Sequence, residues 1–134
     1  MHGVTIIDHT DDNFLAVNLI DILYLLGVPA KESEWDISGL ECLGIAADEL
    51  HQIADNRLRI SGNALLKLAA QLTQVINGVF AGYQKETQEP WIIVRAVDSS
   101  AYDVESSSEG VLASMRQNFQ EVVDIPSAIA PLVG

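Results

Sequence analysis

The chain has 134 residues, 49% of them apolar and only 6% aromatic, and a formal net charge of −12. That length fits one domain whose core is mostly Leu, Ile, Val and Ala, far from the composition of disordered chains. Seven bases against nineteen acids exclude a phosphate-binding stripe, and the longest apolar run, Ile22–Val28, falls far short of the about 20 residues that span a bilayer.

The charge is lopsided. Residues 1–56 hold eleven acids and a single base, Lys31, whereas residues 57–134 hold eight acids and six bases. If the early acids share one outward face, they repel nucleic acid and anionic lipid and attract a basic protein surface. The one cysteine, Cys42, excludes an internal disulfide and a multi-cysteine zinc site. A lone thiol and a start, Met1-His2-Gly3-Val4, without a basic segment predict a cytoplasmic protein with no secretory leader.

In chain order, Val4–Ile7 predicts a short strand. Asp8-His9-Thr10-Asp11-Asp12 then opens a helix, with Thr10 or Asp12 as N-cap, and the apolar run Phe14–Leu26 makes that helix buried on most sides. Gly27-Val28-Pro29 stops it. Residues 31–39 read as irregular and acidic, with a short extended piece at Trp35-Asp36-Ile37. A second helix is predicted over 45–55, and a short strand over Arg57–Ile60.

The longest predicted element is a helix from about 61–63 to Tyr83, striped by Leu65, Leu68, Ala69, Leu72, Val75, Ile76, Val79, Phe80 and Tyr83. Gly78 and Gly82, one turn apart on its polar side, read as a fraying end, with the close approach of another element as the alternative. After a linker at 84–90, Trp91–Val97 predicts a central strand covered on both faces apart from Arg95, paired as a hairpin with 101–105. Ser106–Glu109 matches a capping box for a helix carrying Val111, Leu112, Met115 and Phe119 inward. Glu121–Ile125 predicts a last strand closed by Pro126.

These elements predict an α+β domain over residues 1–126, a small antiparallel or mixed sheet of about 4–5 strands packed against 3–4 helices. Residues 127–134 read as an apolar tail that docks on the surface or pairs with another subunit.

Catalytic and cofactor chemistry is weakly signalled. His51 with Asp48 and Asp55 shares a helix face, and His2, Asp8, His9 and Asp11 cluster in sequence, but both read better as solvated polar surface than as metal sites. Cys42 with His51 has the types of a nucleophile and base, yet the surrounding acids disfavour a thiolate and Cys42 reads as a small buried hydrophobe. Paired carboxylates read as surface, and Ser106–Gly110 as a plain cap. No catalytic residue, metal ligand or cofactor is assigned.

The remaining candidate is a partner-binding segment comprising Glu32, Glu34, Trp35, Asp36 and Glu41. Trp35, set among acids, is either an interface anchor or a lid on the core. The expectation is a small acidic non-enzymatic protein that contacts a basic protein partner, as an inhibitor, an immunity-type protein or an accessory regulator. The rival is a homo-oligomer, such as a homodimer, with a small-ligand or enzymatic pocket of unknown substrate. Its supports are the apolar helix 13–26, the tail and the glycine pair.

Overall fold

The computed structural model describes residues 1–125, so the predicted closing Pro126 and the tail 127–134 lie outside the described residues. The elements in chain order are β1 (His2–Ile6), α1 (Leu19–Leu26), α2 (Val28–Glu32), β2 (Glu34–Gly44), α3 (Ala47–Asp55) and β3 (Ile60–Ser61). They continue with α4 (Gly62–Ala69), β4 (Leu72–Tyr83), β5 (Ile92–Val97), β6 (Ala101–Ser106), α5 (Glu109–Asn118) and β7 (Val122–Ile125). The seven strands form one antiparallel sheet in the order β3-β2-β4-β5-β6-β1-β7.

Among the described residues the fold is α+β in one compact domain, with seven strands against the expected 4–5 and five helices against the expected 3–4. The largest correction lies in β4. Residues 72–83 read as the second half of a long helix, but the helix ends at Ala69 and the chain turns into the longest strand. Gly78, Phe80 and Gly82 point into the core. The glycines therefore mark a close approach, not a fraying end. The stretch 31–39 is not irregular: Lys31 and Glu32 end α2, and the extended piece expected at 35–37 is part of β2, which runs from Glu34 to Gly44.

Alternation along the strands sorts the two faces. Val4, Ile6, Trp35, Ile37, Phe80, Ile92, Val94, Ala96, Tyr102 and Val104 are buried together with Leu19, Ile22, Leu23, Leu50, Leu65, Leu112 and Met115 from the helices. The intervening strand positions, among them Thr5, Asp36, Val79, Ala81, Ile93, Arg95, Asp103 and Glu105, are half-exposed. Among the described residues no helix covers that second face. β5 is central as expected, but it is covered on one side only.

Local chemistry sets the helix ends. The buried helix begins at Leu19 with Asn18 as its N-cap, not directly after Thr10 or Asp12. Residues 13–18 are loop, and the Asp21 carboxylate accepts the Asn18 amide at 2.8 Å. Gly27, at φ +68°, closes α1 by donating to Leu23 and Tyr24. In α5 the cap is Ser108, whose hydroxyl accepts the Val111 amide. The expected cap, Ser106, is buried; its hydroxyl donates to the Trp91 carbonyl and accepts the Ser108 amide. Of the predicted strand 57–60, only Ile60 is in β3, since Arg57 takes a positive φ at the end of α3.

Candidate functional site

β2 places three of the five candidate residues in one row. Its partners across β4 are Tyr83 for Glu34, Ala81 for Asp36, Val79 for Ser38 and Asn77 for Glu41. These β4 residues alternate with inward-facing Gly78, Phe80 and Gly82, so Glu34, Asp36 and Glu41 all project from the helix-free face. An unbroken strand would turn Glu41 inward. The register shift between Ser38 and Glu41, with Gly39 at φ +58°, inserts one residue and restores the phase. The stripe runs about 20 Å at about 3.3 Å per residue.

Trp35, expected as a possible surface anchor, is fully buried on the opposite face, and its Nε1 donates to the Ala30 carbonyl at 2.9 Å. Alternation explains both results, because acids on either side of an inward residue must point outward. Glu32 is exposed at the end of α2, beside Lys85 in an open groove of about 640 Å³.

Next to the acids lies a stripe of Asn77, Val79, Ala81 and Tyr83 on β4, and Asn77 donates to the Glu41 carboxylate at 3.3 Å. Farther across the face the polar groups satisfy one another: Arg95 pairs with Glu105, and the Thr5 hydroxyl donates to Asp103 at 2.6 Å. Among the described residues Glu34, Asp36 and Glu41 at the β2 end carry no ion pair, and neither does Asp103 across the face, which the Thr5 hydroxyl holds without neutralising it. The four ion pairs among the described residues join His2 to Glu109, His9 to Glu121, Arg95 to Glu105 and Arg116 to Asp124. None engages an acid between Glu32 and Asp55. The Arg59 guanidinium stacks 4.0 Å from the Tyr83 ring centroid and so attends the Glu34 end.

The fold also divides the acid-rich half of the sequence. Asp8, Asp11 and Asp12 follow β1, which β6, β5 and β4 separate from β2, about 19 Å at about 4.8 Å per strand. Asp8 is occupied in accepting the Gln120 and Glu121 amides at 2.8 and 2.6 Å. One continuous field over residues 1–56 is therefore replaced by a local one along β2 and the start of α3, where Asp48 and Glu49 occupy the first turn. Between them the sequence reading missed two exposed apolar side chains, Leu43 at 51% and Ile45 at 89% exposure. Their signal was an apolar pair around Gly44 set between acids.

Cys42 and His51 do meet, but as structure. The His51 Nε2 accepts the Cys42 backbone amide at 3.3 Å, so the lone pair a base would need is engaged, and Sγ lies 3.8 Å from the same nitrogen. Burial raises the thiol pKa, which keeps it protonated. Among the described residues no three His, Cys, Asp or Glu side chains stand close enough to hold a metal ion, and no helix is long and apolar enough to cross a membrane.

No protein-family model, curated protein or solved structure gives a significant match to the chain.

Proposed function

We propose that this is a non-enzymatic cytoplasmic protein that binds a basic protein partner through the β2 side of its helix-free sheet face, as an inhibitor, an immunity-type protein or an accessory regulator does. The reading rests on one observation: Glu34, Asp36 and Glu41 share a face, carry no ion pair among the described residues, and border apolar Val79, Ala81 and Tyr83. Apolar contact supplies affinity and unpaired charge supplies selectivity and association rate. Leu43 and Ile45 extend the apolar part at the far end of the stripe.

The test compares the wild-type chain with the triple variant E34Q/D36N/E41Q as bait for lysate of the native host. The reading expects one basic partner retained by the wild type and lost by the variant. Equal retention overturns it, as does a stable homodimer in light scattering that shields these carboxylates.

A further inference from the structure

On the helix side of the sheet, three segments far apart in sequence enclose a cleft of about 420 Å³: the 7–18 loop, the start of β4 and the β5–β6 turn. We infer that this cleft binds an uncharged, polyhydroxylated ligand of the saccharide class, independently of the acidic stripe on the opposite face.

The volume lies within the range of about 300–1,000 Å³ typical of small-molecule sites. The floor is largely apolar, made of buried Val17, Val75 and Tyr102. The walls are amides and hydroxyls: Asn13, Thr73, Gln74 and Ser99 all line it. Gln74 Nε2 donates to Ser99 Oγ at 2.7 Å, which leaves the Gln74 carbonyl oxygen and the Ser99 hydroxyl proton for a ligand.

Phe14, also in the lining, is 72% exposed although the loop around it is well tied. The Thr10 amide donates to the Phe14 carbonyl at 2.7 Å, the Phe14 amide donates to the Thr10 hydroxyl at 3.2 Å, and His9 bridges Leu15. A fixed loop that holds a phenyl ring in water forgoes its burial, and the ring is free to stack. Both lips are hairpin turns, and their left-handed residues, Asn13 at φ +66° and Ser99 at φ +58°, are what such turns require.

The lining selects the ligand class. It contains no Lys, Arg, Asp or Glu; His9 is its one charge-capable rim residue, and that ring sits 3.8 Å from Glu121. An anion finds no cation there, and a cation finds no carboxylate. A wholly apolar ligand would strip water from the amides without replacing its hydrogen bonds. A pyranose offers hydroxyls around its rim for Asn13, Thr73, Gln74 and Ser99. Its C–H face presents positive edges to the negative face of an aromatic ring such as Phe14.

The test is an amide-resolved NMR titration of the full chain with methyl glucoside, methyl galactoside, methyl mannoside and diacetylchitobiose, with inorganic phosphate and spermine as charged probes. At least one saccharide should give saturable shifts confined to residues 9–18, 73–75 and 99–102, with a Kd of about 1 mM or tighter. F14A and T73V should each weaken that binding about tenfold, and T73V carries the test alone if F14A lowers the melting temperature. The proposal is overturned if no saccharide saturates, if phosphate or spermine shifts the same amides instead, or if T73V binds as tightly as the wild type.

Discussion

Trp35 and Gly82 face each other across the β2–β4 ladder, and the indole occupies the space a side chain at 82 would need. A Cβ on Gly82 would stand 3.1 Å from Cη2 and Cζ2 of Trp35 and 2.8 Å from Cγ2 of Ile92. Alanine would shrink the entropy of the unfolded chain, but here the overpacking outweighs that gain. G82A should destabilise the protein by about 1–3 kcal/mol in urea unfolding, and an unchanged midpoint would show that the core has room.

Trp35 itself belongs to the core and not to the proposed contact face. W35A should cost about 3–5 kcal/mol, close to the whole stability of a small domain. W35F, which keeps most of the volume and loses the bond to Ala30, should remain folded and retain the basic partner. Loss of the partner by a folded W35F would return the indole to the binding surface.

Alkaline pH should unfold the protein through two buried groups. Burial raises the pKa of Tyr102 strongly and that of Cys42 as well. A raised value in the folded state means the contribution is fully present below the ordinary values of about 8.5 and about 10. It is lost as pH climbs toward the folded values, because the unfolded chain releases its protons first. Melting temperatures should therefore fall above about pH 9, and Y102F should flatten the decline. An equal slope in Y102F would contradict the burial of that hydroxyl.

Glu34, Asp36 and Glu41 are outside the folding core, so neutralising them should leave stability within about 1 kcal/mol, tending upward as like charges are removed. A larger loss in E34Q/D36N/E41Q would make them structural, and a loss of partner would then say nothing about contact.

How much the sequence disclosed depends on whether its pattern was local. The β5–β6 hairpin, α3, α5, the last strand and the stop at Gly27 follow from near-neighbour chemistry and were readable. β4 was not, because its inward positions are Gly78, Phe80 and Gly82: the glycines that admit Trp35, Ile92 and Leu40 erase the period-two signal. A second register shift near Val75 spaces the remaining apolar residues three and four apart, as a helix would. The segment 13–18 misled in the same way, since its apolar residues line a loop and a cleft. The acids of β2 are visible in the sequence as a run, but their common face depends on the irregularity at Gly39, and their separation from Asp8–Asp12 depends on strand order. Neither is written in composition.

The stripe along β2 is most directly tested by the affinity of the purified partner for wild type and E34Q/D36N/E41Q, measured by calorimetry as salt is raised from about 50 to about 500 mM. Wild-type affinity should fall at least about tenfold across that range, while the triple variant binds weakly at every salt concentration. Affinity that is flat with salt, or equal in the two proteins, would contradict the account.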